Sequence, residues 1–186
     1  MEQIEIEYKI LITKDIFDQI LNDYHNQIKQ DYIQVNDYFT HPILQQKKYM
    51  LRIRTKNNQY EMTLKRPMSQ HRLETNIILT LQQKNDFYNH LNLQNQITDI
   101  LIQENIPIEE LQQQFSLTTH RYDIPLPEGM LSLDMNTYLH QVDYELEFEV
   151  FNEQEGYQKF LDILKPYKLH YTKNCQSKIK RVLDAI

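Results

Sequence analysis

The sequence predicts a single α+β domain, and three observations predict it. Apolar and polar residues alternate with period two in one segment after another, the pattern of strands with one buried face. Helical stripes with capping residues stand between and after these segments. No repeat, linker or low-complexity tail interrupts the 186 residues, a length that suits one domain with a substantial core.

The first strand is expected over residues 4–12, where Ile4, Ile6, Tyr8, Ile10 and Ile12 share one face and Glu5, Glu7 and Lys9 the other. Thr13 then caps a helix whose stripe is Ile16, Phe17, Ile20, Leu21 and Tyr24. Residues 34–40 read as extended. Residues 49–55 set Leu51 and Ile53 against Arg52 and Arg54, and residues 60–65 set Met62 and Leu64 against Glu61, Thr63 and Lys65. Another strand is expected over 73–79. At Thr80 the period changes: Thr80 and Gln83 have capping-box spacing, and Leu81, Phe87, Tyr88 and Leu91 form a stripe. Helix is expected to continue through Leu101 and again from Ile108 to Phe115. Strands return over 117–124, 131–135 and 142–150, where Tyr144, Leu146, Phe148 and Val150 oppose Asp143, Glu145, Glu147 and Glu149. Asn152 with Glu155 caps a helix carrying Tyr157, Phe160, Leu161 and Leu164, and a last helix is expected over 174–185.

Composition removes several classes of function. Hydrophobic residues at 40% and charged residues at 25% fit neither a disordered chain nor a membrane protein. The start, Met1-Glu2-Gln3-Ile4-Glu5, has acids where a signal peptide carries basic residues, so a cytoplasmic location is expected. A net charge of −6 argues against non-specific binding to nucleic acid or to an anionic membrane. The single cysteine, Cys175, has no internal disulfide partner; its neighbours Lys173 and Lys178 are of the sign that lowers a thiol pKa, but a structural role is expected for it. The seven histidines form neither His-x-Glu nor His-Glu-x-x-His, which removes zinc hydrolysis. With 2 glycines, tight hairpins and glycine-rich phosphate loops are disfavoured.

The polar faces of the strands are almost purely charged. Glu5, Glu7 and Lys9, then Arg52 and Arg54, Glu61 and Lys65, Arg121, Asp134, and Glu145 and Glu147 recur at alternate positions. Each piece alone is ordinary: Glu-x-Glu-x-Lys and Arg-x-Arg are common on solvated strands, and Glu145 to Glu149 fits an edge strand blunted by charge. Together they describe the inside of a closed or nearly closed sheet whose apolar faces pack on helices. A lumen lined by both signs is costly to desolvate unless a ligand fills it. A metal-bound polyphosphate suits it, with carboxylates for a hard cation and arginine forks for phosphate oxygens.

In this order the residues resemble the CYTH family, the triphosphate tunnel metalloenzymes, whose N-terminal Glu-x-Glu-x-Lys is matched by Glu5, Glu7 and Lys9. The match extends through Arg52 and Arg54, Glu61 and Lys65, Glu74, Arg121, Asp134, Glu145 and Glu147 to Lys178. The resemblance implies a single tunnel domain over 1–186, an eight-stranded antiparallel β-barrel with flanking helices, and a metal-dependent triphosphatase. It implies that Glu5, Glu7, Asp134, Glu145 and Glu147 serve Mg²⁺ or Mn²⁺ and that Lys9, Arg52, Arg54, Lys65, Arg121 and Lys178 hold a small triphosphate substrate. Glu5, Glu7 and Lys9 are then the catalytic set, supported by Glu61 and Glu74. Adenylyl cyclase activity and a non-catalytic polyphosphate or nucleotide sensor stay open as alternatives, and the sequence does not fix an oligomeric state. Thr40 stands where the family often has an aspartate, a change expected to act at a strand end. A shift of two residues would make the metal pair Glu147 and Glu149; the earlier pair is preferred because its spacing from Asp134 leaves room for one loop.

Overall fold

A computed structural model describes residues 2–69, 71–90 and 93–186. The described chain forms nine strands: β1 (Glu2–Glu5), β2 (Glu7–Ile12), β3 (Gln30–Thr40), β4 (Met50–Lys56), β5 (Gln59–Met68), β6 (His71–Leu79), β7 (Gln112–Leu126), β8 (Gly129–Tyr138) and β9 (Gln141–Val150). Its helices are α1 (Lys14–Asp23), α2 (Pro42–Lys47), α3 (Leu81–Tyr88), α4 (Gln96–Gln103), α5 (Glu153–Leu164) and α6 (Lys178–Ala185). None is long and apolar enough to cross a membrane.

Eight strands are implied by the resemblance and nine are found, because the segment expected as one strand is two. Ile6 parts them: β1 pairs with β6, Glu5 opposite Arg72, while β2 pairs with β9, Glu7 opposite Glu149. Alternation of side chains runs unbroken through Ile6, so period two carries no sign of the change of partner.

The chain has two compact units. The first, residues 1–5 and 34–117, has the strand order β1-β6-β5-β4-β3, with the later part of β3. Its core sets Leu51, Ile53, Met62 and Leu64, all fully buried, against Phe87 of α3 and Ile97 and Leu101 of α4. Thr80 and Gln83 close the capping box of α3 as expected. Leu81, placed on the buried stripe by its spacing, is 55% exposed, and Leu91 lies outside the described residues. The helix expected from Ile108 to Phe115 is a single 3₁₀ turn, Ile108–Glu110, and Gln112 already begins β7. The apolar spacing of Ile108, Leu111 and Phe115 does not separate helix from strand over so short a run.

The second unit, residues 6–33 and 118–186, has the order β7-β8-β9-β2, with the later part of β7. Its core joins Tyr8, Ile10, Ile124, Leu133, Leu146 and Phe148 to Phe17 and Ile20 of α1 and Phe160 and Leu164 of α5. Thr13 caps α1 and Asn152 caps α5, each accepting a backbone N–H as expected. In both units the apolar strand face packs on helices and the opposite face keeps the charges.

Tight hairpins do form, against the expectation from the glycine count. Lys56 pairs with Gln59 across Asn57 and Asn58, both at positive φ, the conformation a two-residue hairpin requires. Leu139, at φ 49°, does the same between Tyr138 and Gln141. Neither glycine has positive φ; each is needed for space. A Cβ on Gly129 would lie 2.1 Å from the Glu149 carbonyl oxygen, and one on Gly156 would lie 2.5 Å from the Val150 side chain.

Candidate metal and phosphate site

In the first unit the register sets Arg54 opposite Glu61, Arg52 opposite Thr63, and Lys65 opposite Glu74. Cross-strand neighbours on one face of an antiparallel pair are close enough to interact, and the two oppositely charged pairs do. The Lys65 ammonium contacts Glu5 and lies 3.1 Å from Glu74; Arg52 stands 3.8 Å from Glu74, and Arg54 3.9 Å from Glu61. Arg54 Nε also donates to Asn36 at 3.0 Å. Burial raises the Glu74 pKa, but Lys65 and Arg52 outweigh it and hold the carboxyl below its ordinary value. Arg52 is buried, and its Nε has no hydrogen-bond partner among the described residues.

The second unit collects the remaining expected residues on β2, β7, β8, β9 and α6. Asp134 lies between Arg121 and Glu145 in the register, and Lys9 lies opposite Glu147. Arg121 grips Asp134 as a fork, Nε to Oδ1 at 2.7 Å and Nη2 to Oδ2 at 2.6 Å, and Nη2 reaches Glu147 at 3.0 Å. The Lys178 ammonium touches Asp134 at 2.9 Å, Glu147 at 3.1 Å, and Glu145 Oε1. Glu7 is in contact with Lys9. Asp134 and Glu145 are fully buried, whereas Glu149 is exposed.

One oxygen each of Asp134, Glu145 and Glu147 lie within 4.8 Å of one another. Oxygens on opposite sides of a Mg²⁺ ion are ~4.2 Å apart at bond lengths of ~2.1 Å, so small side-chain movements would let the three bind one hard cation. A cation already stands among them, the Lys178 ammonium, and the donor set is of the hard-oxygen type that Mg²⁺ and Mn²⁺ prefer. Burial raises the Asp134 pKa, but Arg121 and Lys178 outweigh it and hold the carboxyl below its ordinary value. Lys178 is shifted the other way: burial lowers its pKa, and the three carboxylates more than restore it.

Arg181 is absent from the residues singled out by sequence. It is buried, donates Nε to Asp143 at 2.8 Å and Nη1 to both Glu145 Oε2 and the Gln176 carbonyl at 2.6 Å. Asn136 extends this network by donating to Asp143 and accepting from Thr119. The only signal in the sequence is its spacing of three from Lys178, which puts both on one side of a helix.

The segment before α6 is held to β2 by the backbone. Asn174 accepts from the Lys9 N–H and donates to the Glu7 carbonyl, and the Cys175 N–H donates to the Lys9 carbonyl at 3.0 Å. Ser177 then caps α6, fixing where Lys178 and Arg181 begin. The lysines near Cys175 do not activate it, in keeping with the structural role expected: burial first, then Glu145, pushes its thiol up to about 12. Thr40 is the last residue of β3, so the departure from the family pattern does fall at a strand end. There it accepts from Gln45 at 3.0 Å.

Antiparallel strands that carry acids and bases on one face and pack helices on the other define a class of charged-sheet proteins. The family model for the CYTH domain matches residues 3–177, and the chain belongs to that family. A Bacillus subtilis (strain 168) protein named as the candidate triphosphatase YjbK is 34% identical over 170 residues, which cover 90% of this chain and 88% of that protein. A crystal structure from Bacillus halodurans, described as a candidate adenylate cyclase, is 33% identical with a TM-score of 0.88 over 97% of each chain. A candidate adenylyl cyclase from Hippeastrum, 19% identical, has the same fold, with a TM-score of 0.81 over 100% of this chain and 96% of that one.

Proposed function

We propose that this protein is a divalent-metal-dependent triphosphatase, a single CYTH domain that hydrolyses inorganic triphosphate or a small organic triphosphate in the cytoplasm. The observation that carries this reading is the group of Asp134, Glu145 and Glu147, three carboxylates gathered on one strand face beside Arg121 and Lys178. Similarity to YjbK over nearly the full length of both chains supports the same reading.

In this reading Asp134, Glu145 and Glu147, with Glu5 and Glu7, serve Mg²⁺ or Mn²⁺. Bound at these oxygens, the metal supplies charge neutralisation for the phosphate groups. The chain supplies the rest by position and electrostatics, which dominate phosphoryl transfer. Arg52, Arg54 and Arg121 present planar forks to phosphate oxygens, and Lys9, Lys65 and Lys178 present point charges. Arg52 fits the role by its buried Nε, a donor for which the described residues provide no acceptor. Glu61 and Glu74 hold Arg54, Arg52 and Lys65 in place.

Cyclisation of ATP is the second reading, favoured by the description of the Bacillus halodurans structure. The test is product analysis with tripolyphosphate, ATP and thiamine triphosphate, with Mg²⁺ or Mn²⁺ and with chelator, beside Glu5→Gln. Chelator-sensitive phosphate release lost in the variant supports the triphosphatase. Cyclic AMP with pyrophosphate supports the cyclase, and tight binding without products supports a sensor.

A further inference from the structure

Each lysine of the expected phosphate set rests on a carboxylate: Lys9 on Glu7, Lys65 on Glu5 and Glu74, and Lys178 on Asp134, Glu145 and Glu147. Lys178 differs from the others in the number and placing of its partners. Its three carboxylates are those whose oxygens cluster closely enough to hold a metal ion. Its position is not explained by its helix, because a cation in the first turn opposes the helix dipole.

Two cations of α6 reach this cluster, and they are built differently. Arg181 is tied by both edges of its guanidinium: Nε and Nη2 to Asp143 at 2.8 and 3.2 Å, and Nη1 to Glu145 Oε2 and the Gln176 carbonyl. A rigid fork with that many partners is a permanent countercharge. It commits Glu145 Oε2 and leaves Oε1 turned toward Lys178. Lys178 has a compact charge on a flexible stem, and among the described residues its ammonium pairs with the three carboxylates alone.

We propose that the Lys178 ammonium is an exchangeable cation that occupies the metal position among Asp134, Glu145 and Glu147 and moves off when a divalent ion binds. The inference rests on the metal-dependent reading above. It makes Lys178 a link between two binding events: the ion that takes the carboxylates releases the ammonium for phosphate oxygens. Metal and triphosphate then raise each other's affinity, as linkage requires.

The exchange costs metal affinity in the free protein, because the apparent Kd is the intrinsic value divided by the fraction of time the carboxylates are free of the ammonium. The test is Mn²⁺ titration followed by electron paramagnetic resonance, without phosphate, on the wild type, Lys178→Met and Glu147→Gln. If Lys178 holds the position nine-tenths of the time, Lys178→Met is expected to bind Mn²⁺ about tenfold more tightly. Equal affinity in wild type and Lys178→Met, with loss in Glu147→Gln, overturns the exchange and leaves the metal site standing. No Mn²⁺ binding by any of the folded proteins overturns the exchange together with the metal-dependent reading.

A second measurement needs no variant and so does not depend on Lys178→Met folding. Reductive methylation of the wild type, mapped by mass spectrometry, reports access to the Lys178 amine. Labelling is expected to rise at saturating Mn²⁺, and labelling unchanged by Mn²⁺ overturns the proposal.

Discussion

Arg181 Nη1 and Glu145 Oε2 are 2.6 Å apart, joining the C-terminal helix to the middle of β9 across 36 residues of chain. Glu145 is fully buried and Arg181 is 7% exposed, so neither charge has water to fall back on. Removing one partner of such a pair costs about 3–5 kcal/mol, because the other is left buried and uncompensated. Arg181→Met is therefore expected to lower the urea unfolding free energy by about that amount. A loss within 0.5 kcal/mol, the range of ordinary surface substitutions, would mean that α6 is not held by this contact.

The two glycines give a paired expectation. The Cβ of Gly156→Ala meets a side chain, so Val150→Ala in the same protein is expected to recover part of its stability. The Cβ of Gly129→Ala meets the Glu149 backbone, and no side-chain change relieves it. Each single variant is expected to lose about 1–3 kcal/mol or more. Guanidinium unfolding of the singles and the double variant measures the coupling.

Glu74 gives the acid limb of stability. Its folded pKa lies below the ordinary 4.5, so the unfolded chain takes up its proton first as pH falls. The contribution is fully present above about pH 4.5 and is lost as pH drops through the folded value. Glu74→Gln is expected to flatten the fall in unfolding free energy below that pH. Identical slopes in the two proteins would assign the acid limb to other carboxylates.

Cys175 is expected to resist alkylation. With its thiol pushed up to about 12, the thiolate is scarce at pH 8, and the group is partly covered. Iodoacetamide labelling followed by mass spectrometry is expected to be slow in the folded protein and fast in urea.

Much of this arrangement was legible from residue spacing alone. Local signals served best: Thr13, Thr80 and Asn152 each accept the backbone N–H that their positions imply, because a cap is decided within four residues. Leu51 and Ile53 are buried and Arg52 and Arg54 share the other face, because period two follows from strand geometry. What stayed hidden depends on partners distant in sequence. Nothing in the alternation at Ile6 tells that β1 and β2 pair with different strands. Asn57 and Asn58 take the left-handed conformation usually given to glycine, so counting glycines underestimates hairpins. Arg181 carries no sign of its role until β9 is folded beside it, and the lysines near Cys175 do not tell that burial and Glu145 raise its thiol pKa.

In the proposed function the carboxylates of β8 and β9 hold the metal on which turnover depends. Glu147 is the member to change, because it is partly exposed and its loss leaves Asp134 and Glu145 with their cations. The direct measurement is tripolyphosphate hydrolysis by wild type and Glu147→Gln across a Mn²⁺ titration, with circular dichroism to show that both are folded. Loss of a residue that merely orients metal ligands typically costs 10–100-fold, so losing a ligand is expected to cost roughly 100-fold or more, with the Mn²⁺ requirement shifted upward. A folded Glu147→Gln that hydrolyses tripolyphosphate at the wild-type rate, with an unchanged Mn²⁺ requirement, would contradict it.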